Sequence, residues 1–333
     1  MSHYLRALLL HPPLYIVVCV LYEPGNHFKP IMMPPVIYTY WDQNPLPPLV
    51  EHCIRSWREH NPDMHIVVVD KQFALEQMSP PAWFRSIPAQ NQSDWVRLTM
   101  LARHGGVWMD ATTYALTPVT AWVSEPKALS IFYNSLFYKE RLRLGTACKK
   151  FFQLENWALA APAGHDFVME WLRQYELSWE MGHLAYVKHL GAQGLYPECF
   201  VHRLPYFNQH LAATVVYANG LYSQPLNLLS MCTGMPCTAV GFLKRAWQGP
   251  PTNMYFFKMT GNFRKMLAMS CFAGLYVPGS FHAIVYNMPP NPGFARMRFL
   301  VICLLLATLL RQLFRAKVDF FPAKIRPLAL QQP

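Results

Sequence analysis

From about residue 34 onward the chain alternates short apolar runs with helical patterns of apolar and polar positions. Val36–Trp41 (VIYTYW) predicts a first strand, Leu49–Glu59 a helix, and His65–Val69 (HIVVV) a second strand that ends at Asp70. The Pro- and Gln-rich stretch Ser79–Gln92 predicts a loop. Ser93 is then expected as a helix N-cap, with Asp94 in the first turn, where the helix dipole favours a carboxylate. Trp95, Leu98 and Ala102 fall at i, i+3 and i+7 and predict one apolar face. Gly105 and Gly106 end that helix, and Val107–Met109 predicts a short strand. Strand, helix and strand in this order predict an α/β fold with a mainly parallel central sheet. The chain shows no internal repeat.

The two ends have a different pattern. Ala7–Tyr22 is an apolar run broken by His11, Pro12 and Pro13, with Arg6 before it. It reads as an uncleaved signal anchor, although it is shorter than the roughly 20 residues that span a bilayer. Near the other end, Phe299–Leu310 is apolar except for Thr308. It is flanked by Arg296 and Arg298 before it and by Arg311, Arg315 and Lys317 after it. As a helix it covers about 18 Å against a hydrocarbon core of roughly 30 Å, which fits an interfacial or tail-anchor element. The competing reading is a buried terminal helix of the globular domain. The expected organisation is therefore an apolar segment over residues 1–30, a globular domain over 31–294 and a basic, apolar tail over 295–333.

Composition adds size and partners to this picture. In 333 residues, 53% hydrophobic and 14% aromatic side chains supply a sizeable core and exclude a disordered chain. The 29 prolines favour many loops over a helical bundle. A net charge of +11 admits a polyanion, an anionic small molecule or an anionic membrane as partner. No basic run interleaved with aromatics and no zinc-finger spacing is present, so no nucleic-acid partner is expected. The eight cysteines include no CxxC pair. Cys232 and Cys237 are the closest, and read either as buried thiols or as a small disulfide loop. A hydrolase lacks support, because there is no GxSxG, HExxH or paired carboxylate motif.

The chemistry concentrates between Ser93 and Thr112. In open α/β sheets, ligands bind outside the carboxyl ends of strands, and Asp110 directly follows Val107–Met109. A carboxylate there can hold a divalent cation, which in turn holds a diphosphate. Gly105 and Gly106 allow a tight turn and close approach to a ligand. Asp94 and Arg97 lie at i, i+3 on one helix face and are placed to orient hydroxyls and a phosphate. The bland alternative is a local ion pair worth about 0.2–0.5 kcal/mol on an exposed helix. Asn91-Gln92-Ser93 is a glycosylation sequon, expected to stay unused because it abuts the site helix.

The whole string Ser93-Asp94-Trp95-Val96-Arg97, then Gly105-Gly106-Val107-Trp108-Met109-Asp110, resembles the region around the metal-binding DXD motif of certain sugar-nucleotide-dependent glycosyltransferases. These are the capsular polysaccharide synthesis proteins, the family 32 hexosyltransferases and, more distantly, the clostridial glucosylating toxins. The ending Asp110-Ala111-Thr112 looks most like the capsular-synthesis branch. IYTYW, SWREHNPD (Ser56 to Asp63) and ENWALAAPAGHDF (Glu155 to Phe167) extend the likeness, and GLYVPGSFHAI (Gly274 to Ile284) is similar to a closing segment.

The resemblance implies a GT-A-like (Rossmann-like) fold and transfer of a hexose, with retention, from a nucleoside diphosphate sugar to a glycan or glycolipid acceptor. It implies that Trp41 stacks on the base and that Asp94 binds sugar or ribose hydroxyls. Arg97 would contact phosphate or sugar, and Asp110 would contact ribose and Mn2+ or Mg2+. His282, in Ser280-Phe281-His282, stands where such folds draw a late metal or phosphate ligand, with a satisfied core histidine as the alternative. Arg264 and Lys265 are further candidates to face the diphosphate, and surface solvation is their default. The chain departs from the motif at Thr112, where a second Asp is expected and a hydroxyl is a weaker ligand for a hard cation. That departure keeps open a degenerate, non-catalytic fold that binds nucleotide or glycan without turnover. A small membrane-bound structural protein is the remaining alternative. The apolar ends and basic balance suit a membrane surface, in the Golgi or secretory pathway and in a bacterial envelope alike.

Overall fold

The computed structural model describes residues 33–133, 154–194, 204–230 and 255–258. Both terminal apolar segments, Cys232, Cys237, Arg264, Lys265 and His282 lie outside the described residues. The chain runs β1 (Val36–Tyr40), α1 (Pro48–His60), β2 (His65–Val69), α2 (Lys71–Gln77), α3 (Ala89–His104), β3 (Gly106–Met109) and β4 (Thr113–Ala115). It continues through β5 (Leu129–Tyr133), β6 (Leu154–Ala161), α4 (Asp166–Met181), α5 (His183–Ala192), α6 (Asn208–Ala218), β7 (Leu226–Ser230) and β8 (Phe256–Lys258). The main sheet has the order β2-β1-β3-β6-β5-β7, and β4 pairs with β8 in a separate ribbon. Within the main sheet only β6 opposes its neighbours. The expected α/β fold with a mainly parallel sheet is what the chain adopts.

Alternation along the strands divides the apolar side chains between two layers. Tyr38, Trp108, Leu129, Leu159 and Ala161 face a core shared with α3, α4 and α6. Ile37, Val107, Met109, Trp157 and Ala160 face a second core, closed by Val50, Ile54 and Trp57 of α1. A central strand with helices on both faces is buried on both sides, which explains why β3 reads as a continuous apolar run. Helix α1 is also tied to the β4 ribbon. Trp57 Nε1 donates to the Thr113 carbonyl at 2.6 Å, and Ala115 N donates to Ser56 Oγ at 2.9 Å.

The bounds of β1, α1, β2 and β3 fall within one residue of those predicted, but α3 does not. It begins at Ala89, not Ser93, with Pro88 as its cap and Gln92 N donating to Pro88 O at 3.0 Å. Proline suits a helix start because its φ is preset and no N–H there is needed. Ser93 therefore lies inside the helix and Asp94 in its second turn, away from the dipole's positive end. The polar residues that read as loop are satisfied by tertiary contacts instead. Tyr40 Oη donates to Gln92 Oε1 at 2.8 Å, and Tyr175 Oη donates to the Asn91 carbonyl at 2.9 Å. The single apolar face is also superseded, since Asn91–Leu101 is buried throughout except at half-buried Ser93. Asn91 is 4% exposed, which agrees with an unused sequon.

Gly105 terminates α3 at φ 64°, donating its N–H to Leu101 O at 3.0 Å. A Cβ there would stand 2.4 Å from Ala163 N, and one on Gly106 would stand 2.9 Å from Val36 O. The close approach made by both glycines is to neighbouring backbone. It fixes where β3 starts and so where Asp110 emerges.

Candidate active site

Parallel pairing of β1 with β3 sets Ile37 against Val107 and Tyr38 against Trp108. Two residues further on, Tyr40 is level with Asp110, so Trp41 and Asp110 leave the sheet at the same carboxyl edge. Asp110 is pinned there by its backbone. Its N–H donates to Trp157 O of β6 at 2.8 Å, and Thr113 N donates to the Asp110 carbonyl at 2.9 Å, closing a tight turn into β4. Antiparallel pairing in the ribbon then sets Lys258 of β8 opposite Thr113.

The side chains form one charged network. Arg97 Nη1 donates to Asp94 Oδ1 at 2.8 Å, and Nη2 donates to Asp110 Oδ1 at 2.7 Å. Asp110 Oδ1 also accepts from Trp108 Nε1 at 2.9 Å, while its Oδ2 accepts from Lys258 Nζ. The guanidinium lies over the Trp108 ring, 4.9 Å from its centroid, and donates as well to Gln209 Oε1. Gln209 Nε2 donates to the Asp94 carbonyl at 2.9 Å, and Asn156 Nδ2 donates to Asp94 Oδ1 at 3.3 Å and to Gln209 Oε1. Residues from α3, β3, β6, α6 and β8 thus converge on two carboxylates.

Depth separates the two acids. The side chains of Asp94 and Arg97 are each 3% exposed, against 23% for Asp110 and 12% for Lys258. Burial pushes the Asp94 carboxyl up to about 7, because desolvation outweighs the attraction of Arg97. Burial acts the same way on Asp110, but Lys258 and then Arg97 outweigh it and hold that carboxyl down at about 2. Asp110 is therefore the permanently ionised, ligand-facing member, and Asp94 is the one that titrates near neutrality.

Of the residues expected from sequence, the structure brings Asp94, Arg97 and Asp110 into direct contact. It places Thr112 in the turn just beyond them, itself buried. Trp41 is half-buried at the same sheet edge, packed on the α1-side core, and its Nε1 has no hydrogen-bond partner among the described residues. Gly105 and Gly106 stand at the opposite end of β3. Sequence reasoning missed Asn156, Gln209 and Lys258. Asn156 is an amide within the apolar strand LENWALAA, which is a weak signal. Gln209 and Lys258 carry none, because α6 and β8 are brought to the site only by folding.

A buried charge network thus presents one carboxylate, Asp110, at the carboxyl edge of the α/β sheet. Residues 23–182, just under half of the chain, match the family model for capsular polysaccharide synthesis proteins. The Ser93–Thr112 string, whose likeness to capsular polysaccharide synthesis proteins was noted from the sequence, lies inside that matched stretch. The matched stretch holds Trp41, Asp94, Arg97, Asp110 and Asn156, whereas Gln209 and Lys258 lie beyond it. Comparison with curated protein sequences gives no match. Among solved structures, the chain is similar to a glycosyltransferase involved in glycosylation of the major capsid of PBCV-1. Identity is 9%, the match covers 70% of this chain and 97% of that one, and the TM-score is 0.39. It is similar as well to the galactosyltransferase LgtC in complex with donor and acceptor sugar analogs. There identity is 13%, coverage 79% and 99%, and the TM-score 0.38.

Proposed function

We propose that the chain, on a GT-A-like fold, transfers a hexose from a nucleoside diphosphate sugar to a glycan or glycolipid acceptor, with retention at the anomeric carbon. The observation that carries this reading is Asp110, ionised and held from behind by Arg97 and Trp108, at the same sheet edge as Trp41. Trp41 stacks on the nucleobase and Asp110 accepts from ribose hydroxyls. Asp94, Arg97, Asn156 and Gln209 are positioning residues that fix the Asp110 carboxylate, which is how buried groups act on a ligand they do not touch.

In the reaction the bond between the anomeric carbon and the diphosphate oxygen breaks. The acceptor hydroxyl oxygen bonds to that carbon on the same face, and its proton passes to the departing diphosphate. Charge builds up on the diphosphate, so preorganised positive groups supply the stabilisation.

Mn2+ or Mg2+ at Asp110, Thr112 and His282 is the part of the expectation that the donor set does not favour. Both Asp110 oxygens already accept from cationic side chains, and Thr112 offers only a hydroxyl. Among the described residues no group of three His, Cys, Asp or Glu side chains is placed to hold an ion. His282 lies outside them.

Incubating the full chain with UDP- and GDP-hexoses tests the reading. The wild type is expected to release the nucleoside diphosphate, and Asp110→Asn to lose that release while remaining folded. Proton NMR of the transferred sugar reads the anomeric configuration, and an inverted product rules out the retaining mechanism. Nucleotide binding without turnover of any donor would leave a non-catalytic binding protein.

The chain is further proposed to act at a membrane surface, attached through its apolar ends. No helix among the described residues is long and apolar enough to cross a bilayer, and both ends lie outside them. Flotation of the full chain with phosphatidylglycerol vesicles is the expected result, and failure to float sinks this placement.

A further inference from the structure

We propose that the ammonium of Lys258, and not a divalent cation, neutralises the donor diphosphate, so that this transferase binds its nucleotide without metal. The inference rests on the donor reading above and concerns the same site.

The turn from Asp110 to Thr113 folds back, and the β4–β8 pairing sets Lys258 opposite Thr113. That register delivers Nζ of Lys258, whose side chain is 12% exposed, to Asp110 Oδ2, while the more deeply buried Arg97 and Trp108 take Oδ1. A metal bound by Asp110 would need this same oxygen. The lysine thus holds a positive charge where the cation would sit.

A hard divalent cation needs several oxygen ligands, with carboxylates preferred. Thr112 stands where a second carboxylate is expected, and the amides of Asn156 and Gln209 that join the network are neutral. Asp110, already paired with two basic side chains, has little negative charge left to hold a metal ion. An ammonium needs no such ligand set. It is a compact point charge with three donors, able to span a carboxylate and a phosphate.

Lys258 is built into the fold. Its strand is anchored by Phe256, 1% exposed, whose ring packs 5.3 Å from that of Trp122, 5.5 Å from Phe132 and 5.6 Å from Trp157. The N–H groups of Leu116 and Thr117 both donate to Tyr255 O. A surface lysine placed by chance would have no such scaffold.

Calorimetric titration of the full chain with ADP, CDP, GDP, UDP and dTDP, in EDTA and again in excess Mn2+, tests the inference. At least one nucleotide is expected to bind equally well in both. Lys258→Ala should weaken that binding roughly tenfold or more, the loss of one charge-assisted contact, and Lys258→Arg should largely keep it. Lys258→Glu adds a carboxylate beside Asp110 and should convert the site, so that binding absent in EDTA appears with Mn2+. A merely structural lysine would not produce that change. Wild-type binding that disappears in EDTA and returns with Mn2+ overturns the inference and leaves the donor reading standing. So does metal-free binding that Lys258→Ala leaves intact. Absence of nucleotide binding in both conditions overturns the donor reading, and the inference with it.

Discussion

Removing the guanidinium of Arg97 is the perturbation that probes the network most directly. Arg97→Met keeps the side-chain length and deletes three contacts: the pairs with Asp94 at 2.8 Å and Asp110 at 2.7 Å, and the bond to Gln209 Oε1. It also removes a cation–π contact with Trp108. Breaking a buried ion pair by removing one partner costs about 3–5 kcal/mol, because a buried charge is left uncompensated. Here the two acids respond differently. Asp110 retains Lys258 and Trp108, whereas Asp94 loses its ion-pair partner, keeps only the weaker pull of Lys258, and must take up a proton. Since the Asp94 carboxyl already titrates at about 7, protonating it is cheap at pH 6 and dearer above neutrality. The expected loss is therefore about 3–5 kcal/mol at pH 8 and one to two kcal/mol less, roughly, at pH 6. Urea unfolding at both values, read as a change in midpoint at constant m, measures it. The double variant Asp94→Leu with Arg97→Met should recover much of the loss, since it leaves no unpaired charge behind. A loss under about 1 kcal/mol at pH 8, or strictly additive single effects, would refute the idea that these residues form one network.

Three further outcomes follow from the same geometry. Gly105→Ala forces a Cβ to within 2.4 Å of Ala163 N at a φ of 64°, so a destabilisation of about 3 kcal/mol or more is expected in thermal or urea unfolding. A loss below about 1 kcal/mol would contradict the packing described. The two carboxylates impose opposite pH slopes. Asp94, raised by burial, makes the folded chain hold more protons than the unfolded one between about pH 4 and 7, so stability falls as pH rises through that window. Asp110, lowered by Lys258 and Arg97, contributes stability above about pH 4 that is lost as pH falls towards 2. Asp94→Asn should therefore flatten the pH 5–7 slope by up to ~1.4 kcal/mol per unit, and an unchanged slope would assign it to other groups. Finally, Trp41→Ala should weaken nucleotide binding by about 1–3 kcal/mol, the usual value of base–aromatic stacking, with Trp41→Phe close to wild type. Unchanged affinity in calorimetry would remove Trp41 from the site.

Local pattern was enough for the elements whose signal is local. The apolar runs VIYTYW and HIVVV and the Gly105-Gly106 break fixed two strands and a helix end to within a residue, because alternation and glycine stereochemistry act over a few positions. The same economy misled at the start of α3. Ser93 looked like a cap and the polar residues before it like a loop, because Tyr40 and Tyr175, which bond Gln92 and Asn91, lie 52 and 84 residues away. Likewise the spacing of Asp94 and Arg97 was visible along the helix, but not that both are buried.

By itself, then, the sequence determined the α/β alternation, the carboxylate after the central strand and the i, i+3 pairing that supports it, all set by contacts within about twenty residues. Only the tertiary structure decided what that carboxylate meets. Lys258 reaches it from 148 residues further along the chain through the β4–β8 register, and Gln209 reaches its partner Arg97 from 112 residues beyond through the packing of α6. No local periodicity encodes such contacts, and they fix the charge of Asp110 and with it the place for a metal or a lysine.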